Sequence, residues 1–498
     1  MRSYALLTLV APLVLALPAP APAPLPFPSP QTNNQETNVL TGLLAGLGGA
    51  VVNLGSILDA IPAVLGDLGT ALEAADEVVS AIENGTILGT DVPAVVQKLF
   101  KAAKPTASPT TLTDAVNLEA KAWGATNPSQ APPTSQNILG NVLGLLLNGV
   151  NNADITSIAN GFAMNVPLSN NKAASPNFYK IQTLLGNAPF SVPESQLLQA
   201  IYIPPEFTGQ KQPIIFVPGT GTIGSTNFQP NIGKLLSQST IGDPVYLQIP
   251  NNLLGDIQTS AEYVSYAIQY INQLTSKKPA VITWSQGSLV SQWAFKYWKT
   301  TRAMVTDLIS ISPDFDGTIL ALLLCPGFAS GNAFACTEAV FQQVYNSNFI
   351  TTLKSNNGDS AYVPTTTVYT ATDEIVQPQI GNSASGFISD ARGVGTSNTF
   401  LQGACLALPA GTLYGHAGVL INPTAYALVV DALTHDGPGD FNRVTASCVD
   451  VVAPGIGIGD VLATEALIPE AALNILSYLP KVAAEPAIRA YAGVYGQS

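Results

Sequence analysis

From about Asn187 onward, short runs of β-branched and aromatic residues alternate with stretches of helical periodicity, and this alternation admits few architectures. Strands separated by helix-length segments cannot pair as tight hairpins; they lie parallel, with helices over the faces of the sheet. The pattern predicts strands over residues 213–217, 245–249, 280–284, 305–311 and 365–369, and a weaker one over 399–402. Helices are expected over 260–274, where Tyr263, Ala267, Tyr270 and Leu274 share a face, over 286–297, and over 424–433, ended by His435 and Gly437. The fold class that follows is α/β, a mostly parallel sheet flanked by helices, preceded by a helix-rich N-terminal region.

That region differs in character. Arg2 followed by an apolar run over 5–17 reads as an export signal, with cleavage expected between about Ala16 and Ala23. The run is short for a membrane span. A Pro-rich linker extends to residue 38, and 39–186 is a helix-rich region of unassigned role. Residues 39–58 carry no charge, but glycines and Asn53 interrupt them, so they are read as packed or surface-active helix, with a transmembrane span as the minor alternative. Segments 104–113 and 125–136 have linker composition, and Asn84 heads the one clear glycosylation tripeptide. Four cysteines in an exported chain suggest two disulfides; three connectivities are possible, and Cys325–Cys336 with Cys405–Cys448 is preferred.

With 47% apolar and 10% charged residues the chain can build a large core, and its net charge of −13 argues against nucleic acid and anionic lipid as partners. A neutral apolar ester or an oil–water interface remains compatible. Two histidines and no metal-ligand spacing leave little for a metal site, and no cofactor is expected.

Residues 280–287 carry the chemistry. A buried strand runs into Ser285 and at once into a helix, the context in which a serine sits on a strained turn above the sheet edge. Gly287 supplies the small residue needed two positions later, whereas Thr283 stands where glycine is usual. The competing role for Ser285 is a helix N-cap. The hydroxyl needs a base. His416 lies in a glycine-flanked loop between the last strand and a helix, while His435 falls at a helix C-terminus, where a capping role accounts for it. Asp373 follows the strand before the His416 segment; Glu374 adjoins it, and Asp314 and Asp316 follow an earlier strand as rivals. Backbone donors for an oxyanion are expected from Gln286 and from the Gly-rich loop 218–222, with Thr220 adding a hydroxyl. No lysine follows those glycines at the spacing a phosphate loop needs.

These stretches resemble the Candida antarctica lipase B-like family of α/β-hydrolases. Residues 213–222, Thr283 to Gly287 with Gln292 and Trp293, Ser312 to Asp314 with Gly317 and Thr318, 371–378 and 416–418 follow the same order with similar gaps, and the family shares the Thr283 departure. The resemblance covers roughly 187–498 and does not reach the residues before it. It implies a Ser285–His416–Asp373 triad, an oxyanion hole at Thr220 and Gln286, and Trp284 flooring the alcohol side of a pocket that also includes Thr222, Asp314 and Ile375. Asp314 would lie near the site without being the triad acid. It further implies that Cys405–Cys448 is a family disulfide, with Cys325 and Cys336 private to this chain. The expected activity is that of a secreted, monomeric lipase or carboxylesterase acting on lipid esters, with no stable membrane span; the alternatives are a catalytically inactive lipid-binding protein on the same fold, or an acyltransferase or polyester hydrolase. Residues 318–324 are an apolar lid helix or pocket rim, or else plain core, and a helix within 461–479 would wall the acyl channel.

Overall fold

The computed structural model describes residues 108–133, 138–150, 177–325 and 335–496, together with isolated positions between 78 and 105. The expected export signal, the Pro-rich linker, the apolar run 39–58 and Asn84 lie outside the described residues. The helices that matter here are α1 (Leu112–Val116), α2 (Leu118–Ala122), α3 (Ile138–Leu147), α4 (Ile257–Thr275), α5 (Gly287–Tyr297), α6 (Pro423–Thr434), α7 (Ile458–Glu465) and α8 (Leu467–Ser477). Helix α1 starts inside the stretch read as a linker, capped by Thr111, whose side chain accepts from Asp114 N–H.

Seven strands form one sheet: β1 (Ile201–Tyr202), β2 (Gln212–Val217), β3 (Gly242–Leu247), β4 (Ala280–Trp284), β5 (Leu308–Ile311), β6 (Thr365–Tyr369) and β7 (Thr396–Phe400). Their spatial order is β1-β3-β2-β4-β5-β6-β7, and every pairing is parallel except β1 with β3. The order reverses direction beside β2 and β4, the crevice position where open α/β sheets place their ligands. The fold is that of an α/β-hydrolase. The two-residue β1 carries no alternating pattern and escaped the sequence reading. Strand β3 begins at Gly242, earlier than the 245–249 expected, because Asp243 and Pro244 pair in the ladder beside Pro213 and Ile214.

Side chains alternate across the sheet, and each face has its own core. Ile215, Val217 and Val281 pack with α4 and α5, whose Val264, Ile268, Val290 and Trp293 are buried. Ile214, Phe216, Ile282 and Trp284 point to the other face, where α6, α7 and α8 pack. Leu139, Val142, Leu143 and Leu146 of α3 belong to that same core, as do Val116 and Trp123. Each such buried aliphatic side chain contributes about 1.5–3 kcal/mol through area removed from water, so the N-terminal segment shares the hydrolase core. Both disulfides pair as preferred, Cys325 with Cys336 and Cys405 with Cys448. Among the described residues no helix is long and apolar enough to cross a membrane.

Candidate active site

Strand β4 is made of Ala, Val, Ile, Thr and Trp, all buried, and ends at Ser285. Ser285 has φ 53°, in the left-handed region that costs a non-glycine residue energy, and α5 follows directly. Its N–H donates to the Ile311 carbonyl at 3.1 Å, pinning the turn to β5. A Cβ on Gly287 would lie 2.5 Å from the Val217 carbonyl oxygen, and one on Gly219 would lie 2.5 Å from the Trp284 ring. Both glycines are therefore required by close approach. Thr283 fits because its hydroxyl is buried between two others, Ser288 at 2.8 Å and Ser310 at 3.0 Å.

His416 lies in the loop after β7 and before α6, buried, with Nδ1 2.7 Å from Asp373 Oδ2. Asp373 follows β6; its other oxygen accepts from the N–H groups of Ile375 (2.9 Å) and Val376 (2.7 Å), which fixes the carboxylate. Burial disfavours the imidazolium, but Asp373 beside it, then Glu119 and Asp314, outweigh this and hold the His416 pKa above the ordinary histidine value. Nε2 has no hydrogen-bond partner among the described residues, and His416 lines the same cavity as Ser285.

That cavity, about 570 Å³ including its mouth, is mostly apolar. Trp284, Thr220, Gln343 and Ile375 line it, with Ile468, Ala472 and Ile475 of α8 forming a wall and Ile138 of α3 entering from the N-terminal segment. Residues 458–477 form two helices rather than the single one expected. Thr318 and Ala321 sit at the rim, but 318–324 does not form a lid helix: only Ala321–Leu324 winds, as one 3-10 turn, held by Thr318 accepting from Leu320 N–H. Thr222 and Asp314, expected in the pocket, are not in its lining. Thr222 is buried, donating to the Gly219 carbonyl at 3.0 Å, and so braces the loop. Asp314 is fully buried, both oxygens lack partners among the described residues, and burial pushes its carboxyl up to about 7.

The Thr220 hydroxyl lies 2.7 Å from Gln286 Oε1 and 2.9 Å from Gln343 Oε1, bringing the two oxyanion candidates together beside Ser285. Gln343 also donates to Gln286 Oε1 at 3.2 Å. Nothing in the sequence singled out Gln343; its neighbours are ordinary helix residues and its partners lie far along the chain. Of the rival groups, His435 sits at the α6 C-terminus with Nδ1 3.1 Å from the Asp431 carbonyl, and Asp316 pairs with Lys354 at 2.6 Å. Among the described residues no group of three or more His, Cys, Asp or Glu could hold a metal ion.

A second buried carboxyl set adjoins His416. Glu374 Oε2 accepts from His416 N–H at 3.0 Å. Glu119, from α2, accepts from Ala417 N–H at 3.1 Å and Gly418 N–H at 3.1 Å. Burial, then the neighbouring Glu119, pushes the Glu374 carboxyl well above the ordinary carboxylate range. Nothing in the sequence singled out Glu119, which lies in the helix-rich region of unassigned role.

No protein-family model matches the chain. It is 34% identical over 288 residues to lipase B of Pseudozyma antarctica, covering 56% of this chain and 79% of that protein. The crystal structure of Aspergillus fumigatus lipase B superposes with a TM-score of 0.71 at 39% identity, covering 88% of this chain and 99% of that one. The second likeness spans more than the segment 187–498 could supply, so it includes part of the N-terminal region. The relatives, together with a serine on a strained turn above a parallel sheet, make this chain an ester hydrolase that belongs to the lipase B family of α/β-hydrolases.

Proposed function

We propose that the protein is a secreted serine lipase or carboxylesterase working through Ser285, His416 and Asp373. Ser285 Oγ attacks the ester carbonyl while His416 Nε2 takes its proton. Asp373 holds Nδ1–H, fixing the tautomer and stabilising the imidazolium. The oxyanion receives N–H donors from Thr220 and Gln286 and the Thr220 hydroxyl, which turns from its glutamine partners. His416 then protonates the leaving alcohol, and water, activated by the same base, clears the acyl-enzyme. The observation that carries this reading is the 2.7 Å contact of His416 Nδ1 with Asp373, combined with an unpartnered Nε2 in a residue lining the cavity with Ser285.

The apolar wall of Ile468, Ala472, Ile475 and Ile375 favours an acyl chain, hence lipid esters, as the substrate class. The two disulfides and the apolar leader fit export. In this reading residues 1–17 are the signal, 18–38 a linker, and 39–186 precede a hydrolase domain over 187–498. N-terminal sequencing of secreted protein tests the leader. For the chemistry, a phosphonate ester should label Ser285, located by peptide mapping, and should not label Ser285→Ala; rapid labelling of the variant sinks the assignment. Rates on emulsified long-chain triglyceride, soluble short-chain esters and polyester film rank the substrates.

A further inference from the structure

We propose that Glu119 is a positioning residue of the active site, its carboxylate gripping the backbone of the His416 loop and so fixing the imidazole. The inference rests on the reading of His416 as the base.

Three consecutive backbone N–H groups, those of His416, Ala417 and Gly418, end on two buried carboxyl groups: His416 on Glu374, and the other two on Glu119. Glu119 Oε2 also lies 3.2 Å from Ala417 N. The opposite side of the peptide is held as well, since the His416 carbonyl accepts from Trp284 Nε1 at 3.2 Å and Ser312 Oγ at 2.9 Å. The loop is built around this grip. A Cβ on Gly415 would stand 2.3 Å from Glu119 Oε2 and 2.4 Å from its Cδ, so that glycine is needed for room; it is not among the positive-φ residues. The grip joins residues 298 and 299 positions apart, tying the N-terminal segment to the base.

The carboxylate is costly. Glu119 is fully buried, and burial raises its pKa against the hydrogen bonds that lower it. Glu465, also buried and with both oxygens unpartnered among the described residues, adds a like group near it. A leucine fills similar space without that cost but cannot accept from two amides. The same segment reaches the acid side of the triad: Trp123, Pro132 and Pro133 share a second cavity of about 430 Å³ with Asp373 and Glu374.

The test uses the full-length protein, with active sites counted by phosphonate titration. Glu119→Gln keeps one acceptor oxygen, Glu119→Leu keeps volume and none, and Gly415→Ala displaces the carboxylate without removing it. Because small misplacements of a catalytic group cost up to about 100-fold, kcat per titrated site should fall roughly 10-fold in the Gln variant and roughly 100-fold in the Leu variant. Gly415→Ala should fall between them, and KM should stay within about threefold in all. A Leu variant that melts earlier yet keeps parental kcat per site overturns the proposal, since Glu119 is then only structural. If the Leu variant does not fold, parental kcat in both other variants overturns it equally. Failure of the parental enzyme to label at Ser285 is a separate result: it removes the reading of the site, and the proposal with it.

Discussion

Carboxylates reach His416 from two regions that share little except burial. Asp373 leaves the end of β6, one strand in from the edge of the parallel sheet, and is fixed by amides two and three residues along its own chain. Glu119 lies in the five-residue α2 of the N-terminal segment and is fixed by amides of the loop it holds. The first arrangement is local: strand, turn and carboxylate come as one unit of sequence. The second exists only when distant parts of the chain have packed. On the proposed reading of the site, the contrast separates chemistry, which the sheet edge delivers, from support, which the packed N-terminal segment adds to the same base.

The largest expected effect falls on the sheet side. Asp373→Asn should preserve the fold, since an amide fills the same space, but present the imidazole with the wrong partner at Nδ1. A kcat loss of about 10⁴-fold is expected by analogy with other triads, measured on a soluble short-chain ester. A loss under tenfold would mean that the carboxylates of Glu119 and Glu374 can replace Asp373, and the division between the regions would collapse.

The N-terminal side is broken through packing. Leu143 in α3 is fully buried in the core that contains Ile282 and Trp284. Leu143→Ala should cost about 2–5 kcal/mol, read as a lower urea midpoint with one cooperative transition by tryptophan fluorescence. Two transitions, with only the first displaced, would show the segment to be a separate unit.

Between these two regions lies the loop that holds Thr220. Thr220→Ala removes the hydroxyl but not the backbone donor, and kcat should fall about 10²-fold with KM little changed, the pattern of a contact made in the transition state. An equal rise in KM with unaltered kcat would place Thr220 in substrate binding instead.

What could be read from the chain follows the same division. The strands β2, β4 and β6, the Ser285 turn, His416 and Asp373 were legible because each depends on neighbours within a few positions: a buried β-branched run, a small residue at Gly287, a loop after a strand. Glu119 was not, because one carboxylate among Leu118, Ala120 and Ala122 reads as a solvated helix position until the loop around Gly415 closes over it. The glycines flanking His416 marked a loop in the sequence, but nothing there showed that Gly415 makes room for a carboxylate. The sequence left 318–324 open between a lid helix, a pocket rim and plain core for a related reason: an apolar run states that a segment is buried somewhere, and here Ile375 O and Gln377 N–H hold Thr318 in an irregular turn beside the cavity.

The smallest effect sharpens the electrostatic side of the comparison. Asp314 makes no contact with the imidazole comparable to Asp373, yet its charge is among those that raise the His416 pKa. A general base works neutral, so activity falls as pH drops through that pKa, and the acid limb of kcat/KM should lie above the ordinary histidine value of about 6.5. Asp314→Asn removes a group that is largely ionised only above about pH 7, so it lowers the His416 pKa and shifts the limb to lower pH by less than about one unit, because Asp373 remains. Stability carries a second sign. The Asp314 carboxyl is pushed up to about 7, above the unfolded value near 3.9, so its favourable contribution is present in full below about pH 4 and lost as pH rises through about 7. The asparagine variant does not titrate, so its melting temperature should gain on the parent between pH 4 and 7 and hold that gain above. A gain that is flat across this range would mean that Asp314 is not protonated in the folded enzyme, and that the buried charge beside His416 is larger than the geometry of Asp373 and Glu119 accounts for.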